Sequence, residues 1–544
     1  MAQSKILRGT MLLSGASFLS KFLGMIYVIP FHALVGATGG TLFAYAYTPY
    51  SILISLSTMG VPLAVSKFVS KYNTLGDYET GRRMYRSGLK LMGLSGIIAF
   101  LLLFFGAELL APIIKGNNAK GNTQEDIAMV IQMVSFALLV IPAMSITRGF
   151  FQGYESMGPT AVSQVVEQIV RIAFLLIASY YVMETVGDIR LAVGFASFAA
   201  FIGAIASAIV LYVYWRRRRH YLDQRLDEQK VHYDIDLKDI YKEMFSYAGP
   251  FVLVGIAIPL LQFIDMLTFN RSMSLAGFTD EFNDIAYGAI HLFGHKLVII
   301  PVTLATGLSL ALLPTMTRSF NENNRKQLFQ QINQALQIVM LLVLPASIGI
   351  SLLSNEAYTT FYNSEHIQVT GSLLGWYAPV ALIFALFTVT SSMLQGINEQ
   401  KFATVSLGVG VLLKVVLNIP LILWLGAYGS VIGTGIAMGG AVALNLYKIR
   451  TSVAFPMKQF VKRSALIGII TILMSLLVLI LRWLLGIAGL EYTNGKLSAV
   501  LVLFICAGAG GLFYLWAAYQ TTLLERILGN RIKGLDRFLK RKES

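Results

Sequence analysis

Residues 91–113 read LMGLSGIIAFLLLFFGAELLAPI and contain a single charged residue, Glu108. An α-helix rises 1.5 Å per residue, so about twenty apolar residues cross the roughly 30 Å hydrocarbon core of a bilayer. The stretch therefore predicts a transmembrane helix. Of the 544 residues, 56% are hydrophobic and 13% are charged, against about a quarter charged in soluble proteins. This composition argues against a soluble protein.

Stretches of the same kind recur along the chain, and hydropathy in windows of about nineteen residues predicts fourteen spanning helices. The predicted spans are 9–30, 41–65, 91–113, 127–147, 160–182, 191–215, 246–267, 285–313, 332–353, 372–394, 402–424, 428–447, 464–485 and 497–519. The predicted fold class is thus an all-α polytopic membrane protein.

The distribution of cations tests this count and predicts the orientation. Lys and Arg number 43 against 28 Asp and Glu, and most of the cations, Arg148 and 216–219 among them, lie in the terminal segments and even-numbered loops. Cytoplasmic loops of membrane proteins carry such an excess. We therefore expect both termini in the cytoplasm. The net charge of +15 then needs no nucleic-acid partner.

Targeting, redox and catalytic signals are few. Lys21 interrupts the first apolar run and no small-residue cleavage site follows, which favours an uncleaved helix over a signal peptide. Cys506 is the single cysteine, so an internal disulfide is excluded. His291 and His295 lie one turn apart without the acid of an HExxH motif, and no catalytic triad, aspartate dyad or metal-ligand set is present. We expect no enzyme activity, cofactor or metal.

An internal repeat organises the chain. Phe151–Ile172 and Leu394–Val415 match at an offset of 243, with Ser163 on Ser406 and Arg171 on Lys414. A second match at nearly the same offset pairs the segments that begin at Gly60 and Gly307. Because both segments exit toward the same side, we expect two parallel six-helix halves, as in many transporters.

The predicted domain layout follows from this repeat. It comprises an N-terminal half (1–215), a basic cytoplasmic linker (216–244), a C-terminal half (245–450), two extra helices (451–520) and a basic cytoplasmic tail (521–544).

Several ionisable residues fall where the membrane should be. An ionisable group at mid-bilayer costs about 2.5–3.5 kcal/mol on insertion scales, so such groups usually face a wet interior. The predicted intramembrane set is Lys21, Glu167, Arg171, Asp265, Lys296 and Lys414, with a formal charge of +2. Polar stripes on the first, second, fifth and eleventh predicted helices support a lined cavity, although each stripe could instead join helices by hydrogen bonds.

A wet cationic cavity inside a membrane suits an anion such as a phosphate or diphosphate, because ammonium and guanidinium groups offset its desolvation. We therefore predict substrate contacts from Lys21, Arg171, Lys296 and Lys414. Glu167 stands four residues before Arg171 in the favoured order for a pair on one helix, so the two could neutralise each other or contact substrate. Asp265 could be a counter-ion to a lysine or could bind a coupling cation.

The motifs then point to a family. SKFLG at Ser20–Gly24, RGFFQG at Arg148–Gly153 and KLVIIP at Lys296–Pro301, followed by LLP and RSF, stand in the order that resembles the MurJ and SpoVB type of lipid flippase. That type belongs to the multidrug/oligosaccharidyl-lipid/polysaccharide exporter superfamily. The resemblance covers essentially the whole chain.

This resemblance implies that lipid II, an undecaprenyl diphosphate carrying a disaccharide-peptide, moves from the inner to the outer leaflet. It implies membrane lipids and the cell-wall synthesis machinery as partners. Lys21 and Lys296 match cavity arginines of the family, while Gly39–Ile52 lacks the aspartate and arginine found there in Gram-negative members. The two extra helices resemble a pair that forms a groove for the lipid tail.

Other functions stay open on the sequence. A flippase for a different undecaprenyl-diphosphate-linked saccharide, such as a teichoic-acid or exopolysaccharide unit, would recognise the same diphosphate. A multidrug or cation antiporter that couples through an acid in its first helix would find only Lys21 there. An intramembrane enzyme lacks a catalytic constellation, and a structural scaffold would not explain paired buried cations.

Overall fold

The computed structural model describes residues 2–58, 61–115, 121–229, 254–362 and 365–528, with isolated positions between 231 and 252. Every regular element in this part of the chain is helical. The chain divides into two compact units, Met1–Arg271 and Ser272–Ser544. The predicted linker 216–244 and tail 521–544 lie partly outside the described residues.

The first unit contains helices α1 to α8 and most of α9. They are α1 (Ala2–Ile26), α2 (Val28–Thr58), α3 (Val61–Thr74), α4 (Tyr78–Ile114), α5 (Gln124–Ser135), α6 (Ile141–Gly153), α7 (Gly158–Thr185), α8 (Ile189–Asp227) and α9 (Ala257–Leu275). A 3₁₀ turn at Phe136–Leu139 joins α5 to α6.

The second unit contains the remaining helices. They are α10 (Asp280–Gly288), α11 (His295–Leu310), α12 (Leu313–Asn321), α13 (Arg325–Leu352), α14 (Ser354–Phe361), α15 (Ile367–Tyr377), α16 (Val380–Gly396), α17 (Gln400–Leu425), α18 (Ala427–Val453), α19 (Met457–Ile487), α20 (Lys496–Gln520) and α21 (Leu523–Leu528). A π-helical turn at Ala289–Gly294 joins α10 to α11.

Twelve of the described segments are long and apolar enough to cross a membrane. One of them, Gly15–Leu56, overlaps the first two predicted spans, 9–30 and 41–65. The predicted span 246–267 lies partly outside the described residues. The other eleven segments match the other eleven predictions. The prediction of an all-α polytopic membrane protein is therefore confirmed.

The connection between the first two spans differs from the prediction. Residues 31–40 were expected to lie between helices, but α2 already begins at Val28. Gly36 interrupts it with φ of 66° and ψ of −168°, a conformation that glycine adopts because it lacks a Cβ. Hydropathy missed this segment because it is too short and too rich in glycine to register as a span.

Close helix pairs organise the first unit, and α7 with α8 is the most extensive. A Cβ on Gly203 of α8 would lie 2.8 Å from the backbone oxygen of Glu167 and 2.9 Å from the Cβ of Arg171. Because such distances are shorter than van der Waals contact, only glycine lets the two backbones approach this closely. This approach fixes the stretch of α7 that carries both predicted charges.

The two extra helices, α19 and α20, pack on each other and on α13 and α14. Ile338 and Leu341 of α13 share a buried cluster with Ile470 of α19 and Tyr514 of α20. Large apolar side chains such as Ile480 remain exposed on the other side, 54% in this case. Such exposure is expected of a surface that faces lipid.

Candidate functional site

Helix α1 packs along α7 through polar side chains. Ser17 Oγ donates a hydrogen bond to Gln164 Oε1 at 3.1 Å. Farther along, a Cβ on Gly24 would lie 3.1 Å from Gln168 Nε2, so glycine permits a close approach. Lys21 falls between these two contacts at helical spacing and is exposed. The structure thus places Lys21 on the helix that borders α7.

Arg171 lies on α7 and is half-buried. Its guanidinium carbon stands 5.6 Å from the ring centre of Tyr47 on α2, within cation–π distance. The Nε atom is buried and makes no hydrogen bond to the described residues. Arg171 therefore keeps hydrogen-bonding capacity beside an aromatic surface.

Glu167 belongs to a cluster that joins α6, α7 and α8. Arg148 Nη2 lies 2.7 Å from Glu167 Oε2 and donates to Ser207 Oγ at 2.8 Å. Arg148 Nε donates to Ser163 Oγ at 2.9 Å. The side chains of Arg148 and Glu167 are 14% and 21% exposed. We call these four residues the first polar cluster.

This geometry corrects two expectations from the sequence. Within the described part of the chain, no ion pair joins Glu167 to Arg171, because Arg148 holds the carboxylate. Arg148 was assigned to the loop cations because it follows directly on the predicted span 127–147. In the structure α6 continues to Gly153, so Arg148 lies inside the helix and faces its neighbours.

The second unit contains an uncharged cluster at the corresponding helices α16, α17 and α18. Asn445 accepts a hydrogen bond from Ser406 Oγ. Asn445 Nδ2 donates to Thr390 Oγ1 at 3.1 Å and to Ser391 Oγ at 2.9 Å. All four side chains are fully buried. We call them the second polar cluster.

Lys414 lies on α17, at the position that the repeat matches to Arg171, and it is completely buried. Its ammonium group donates to the backbone oxygen of Ser430 at 2.9 Å and to Thr434 Oγ1 at 2.8 Å. Both acceptors belong to α18. In this conformation the charge of Lys414 therefore joins two helices.

Lys296 follows the π-helical turn and is half-buried at the start of α11. A Cβ on Gly294 would clash with the backbone oxygen of Ala289, so glycine is needed for the turn. His295 Nδ1 lies 2.8 Å from Tyr377 Oη, and His291 packs on the ring of Tyr287. Turns of this kind are frequent at functional sites. No group of three metal-ligating side chains occurs in the described residues.

An apolar groove of about 510 Å³ runs between the two extra helices and α11, α13 and α14 of the second unit. Its walls include Leu297, Pro301, Pro345, Cys506 and Tyr514. Lys296 immediately precedes Leu297, so a cation adjoins one wall of the groove in sequence.

An ion pair fixes the extra helices near this groove. Arg482 Nε of α19 lies 2.7 Å from Glu356 Oε1 of α14, and Arg482 Nη1 donates to the backbone oxygen of Leu352 at 3.0 Å. Glu356 is 2% exposed. The sequence gave no signal for this pairing.

The structure brings only some of the predicted residues together. Lys21 and Arg171 lie on neighbouring helices of the first unit, whereas Lys296 and Lys414 lie on helices of the second unit with different main packing partners. Asp265 of α9 is 1% exposed. The functional roles of Lys21, Glu167, Arg171, Asp265, Lys296 and Lys414 stay predictions.

Two family models match the chain. The model described as polysaccharide biosynthesis protein matches residues 6–320, and the one described as MatE matches residues 250–419. Among curated proteins, "Lipid II flippase MurJ" of Bacillus subtilis is 46% identical over 98% of this chain and 98% of its own length. "Stage V sporulation protein B" of the same organism is 22% identical over 76% and 77%.

Solved structures agree on the fold. A lipid II flippase MurJ in an inward closed conformation has a TM-score of 0.65 at 16% identity and covers 95% of this chain and 99% of its own. An inward-facing MATE family transporter has a TM-score of 0.63 at 16% identity and covers 79% and 98%. At these identities the structural likeness establishes the fold alone.

Proposed function

Because the chain belongs to the MurJ group within the polysaccharide biosynthesis protein family, we propose that it is a flippase that moves lipid II from the inner to the outer leaflet of the bacterial cell membrane. Lipid II joins a long polyprenyl chain to a diphosphate that carries sugars and a peptide. A protein that moves it must accommodate an apolar chain and an anion at once.

The apolar groove of the second unit is the structural observation that best supports the proposal. The groove of about 510 Å³ is apolar and long enough to involve five helices. Lys296 stands one residue before the groove-lining Leu297. Contact between Lys296 and the diphosphate of a polyprenyl chain held in the groove is part of the proposal, because Lys296 itself does not line the groove.

The first unit contributes a second cationic surface, formed by Lys21 and Arg171. A guanidinium presents two parallel N–H groups to phosphate oxygens, whereas an ammonium acts as a point charge. Arg171 is thus suited to a directed contact with the diphosphate, and the exposed Lys21 to attraction of it. Lys414 is the weakest of the four candidates, because its ammonium already has two acceptors.

We propose alternating access as the mechanism. The site opens first to the inner leaflet and then to the outer leaflet, while the charged head group stays in water and the polyprenyl chain stays in lipid. Pro49, Pro301, Pro345 and Pro420 lie inside helices, where a missing hydrogen bond permits bending. The membrane potential, worth about 2.3 kcal/mol per charge per 100 mV, would reset the empty carrier, and a cation at Asp265 is the competing source.

The orientation and partners follow from the same proposal. The excess of Lys and Arg in the terminal segments favours cytoplasmic termini. Substrate then enters from the side on which lipid II is made. Enzymes of cell-wall synthesis on the outer side would consume the product.

A second candidate is a flippase for another undecaprenyl-diphosphate-linked saccharide. It is favoured by the match to the family model described as polysaccharide biosynthesis protein. Such a substrate would present the same diphosphate as lipid II. The antiporter alternative has less support, since an antiporter that couples through an acid in its first helix would find only cations in α1, Lys21 among them.

Complementation tests the proposal. A host depleted of its lipid II flippase would express this chain, and lipid II at the outer leaflet would be measured with Lys21→Ala and Lys296→Ala alongside. We expect rescue by the unchanged chain and loss with either alanine. Lys326→Ala is the matched control, because Lys326 is exposed at the start of α13, away from the groove-lining residues. An expressed and folded chain that fails to rescue would shift the assignment to another lipid-linked saccharide.

A further inference from the structure

Glu167 of α7 could pair with either of two arginines, Arg171 on the same helix or Arg148 on α6. Glu167 precedes Arg171 by one helical turn, a spacing at which an acid and a base readily pair. Instead, Arg148 of α6 holds the Glu167 carboxylate at 2.7 Å. Arg171 packs over Tyr47 and leaves its buried Nε without a hydrogen bond to the described residues.

Arg148 is held firmly in the position that makes this possible. It donates to Ser163 and Ser207 as well as to Glu167, so three contacts on α7 and α8 orient its guanidinium. Its backbone is fixed too, because a Cβ on the adjacent Gly149 would lie 2.8 Å from the Cα of Pro62. The arginine cannot readily move away without breaking several contacts.

The ion pair between Arg148 and Glu167 determines which charge on α7 is left unpaired. Arg148 and Glu167 neutralise each other, which leaves the charge of Arg171 uncompensated by any ion pair in the described residues. A half-buried carboxylate that lost Arg148 would be unpaired at high cost, and the cation one turn away would be its nearest replacement. Arg171 would then be occupied by the protein itself.

We propose that Arg148 is a positioning residue that keeps Glu167 away from Arg171, so that the Arg171 guanidinium stays available to phosphate oxygens of the lipid-linked substrate. This inference rests on the proposed flippase function. It assigns Arg148 a role in substrate affinity without contact between Arg148 and substrate.

The test is a double-mutant cycle on the full chain in lipid nanodiscs, with binding of undecaprenyl diphosphate and of lipid II as readouts. We expect Arg148→Met to weaken binding roughly tenfold, because Glu167 turns to Arg171. Adding Glu167→Gln should restore binding to within about threefold, since no carboxylate remains to compete. Arg318→Met is the matched control, because it removes an exposed pair with Glu322 at the same 2.7 Å distance.

A purely structural role for Arg148 predicts no such rescue. If the double variant binds as weakly as Arg148→Met, or if Arg148→Met binds like the unchanged chain, the inference is wrong. Should Arg148→Met fail to fold, Ser163→Ala with Ser207→Ala loosens Arg148 and keeps its charge. We expect that variant to lose about threefold in binding and to regain it with Glu167→Gln.

The two proposals fail in different ways. A chain that binds undecaprenyl diphosphate but does not flip lipid II would overturn the proposed substrate while the cycle still reports on Arg148. A chain that flips lipid II without rescue in the cycle would overturn the role of Arg148 alone.

Discussion

The two polar clusters occupy corresponding places in the repeat but use different chemistry. Arg148 and Ser163 of the first cluster match Ser391 and Ser406 of the second at the offset of 243, and Ser207 lies as far into α8 as Asn445 lies into α18. The first cluster is charged and partly exposed, whereas the second is neutral and fully buried. The same helix arrangement can thus be stabilised in two ways. An ion pair serves where the cluster is partly exposed, and neutral amides and hydroxyls serve where it is buried.

The cation on the second helix of each cluster also differs between the two units: it is Arg171 on α7 and Lys414 on α17. Arg171 keeps an unbonded Nε, whereas Lys414 gives its ammonium to two acceptors on α18. The position matched to Glu167 is Gly410, so the second unit has no acid to separate from its cation. The cation of the first unit thus keeps hydrogen-bonding capacity, whereas the cation of the second unit joins two helices.

The strongest test of this comparison is a pair of substitutions at the matched cations. Arg171→Gln should lower lipid II transport about tenfold or more, the equivalent of one or two lost charge-assisted hydrogen bonds. Lys414→Met should keep transport within about threefold, because that ammonium serves helix packing. Leaflet-resolved lipid II assays at matched expression measure both. Equal losses would mean that Lys414 also reaches substrate.

Removal of the charged partner in the first cluster should have the next largest effect. Arg148→Ala removes the counter-ion of Glu167 and leaves Arg171, one turn away, as its replacement, so we expect a loss of about 1.5 kcal/mol in the free energy of unfolding. Chemical denaturation in detergent, with Arg318→Ala as the exposed control, measures it. A loss no greater than that of the control would show that water already compensates the carboxylate.

The neutral cluster should respond more weakly. Asn445→Ala removes hydrogen bonds among α16, α17 and α18, and interhelical bonds in membranes are worth about 0.6–2 kcal/mol. We expect a loss of about 1 kcal/mol by the same denaturation assay. A loss larger than that of Arg148→Ala would reverse the ranking of the two clusters.

The smallest expected effect concerns the turns beside the clusters. In the first unit Arg218 donates a hydrogen bond to the hydroxyl of Ser156. The repeat matches Ser156 to Glu399 of the second unit. The Glu399 carboxylate accepts a hydrogen bond from Ser452 at 2.9 Å and lies 3.1 Å from the ammonium of Lys448. Burial alone would raise the pKa of Glu399, but these partners outweigh it and hold the pKa below its ordinary value.

A lowered pKa in the folded state means that this stabilisation is present above the unfolded pKa of glutamate and is lost as pH falls through the folded pKa. We therefore expect Glu399→Gln to cost about 0.5 kcal/mol near neutral pH, as exposed ion pairs do, and nothing in strong acid. Thermal unfolding across pH measures the difference. A cost that persists at low pH would point to the Ser452 hydrogen bond rather than the charge.

Sequence reasoning found the charged positions more reliably than their partners. It identified Glu167 and Arg171 as intramembrane charges, and both lie on α7 inside a spanning helix. It missed Arg148, although the RGFFQG motif begins there, because the predicted span ended at residue 147, whereas α6 continues to Gly153. The pairing depends on α6 and α7 packing side by side, which spacing along one helix does not report.

The membrane class, the all-helical fold and the family could be predicted from the sequence, because apolar length and motif order are properties of the linear chain. Tertiary structure decided which cation meets which acid, how α2 breaks at Gly36 and where the apolar groove lies. Those features depend on contacts between residues far apart in sequence. Arg148 pairs with Glu167 because the packing of α6 against α7 brings the two side chains together, although Arg171 is nearer to Glu167 in sequence.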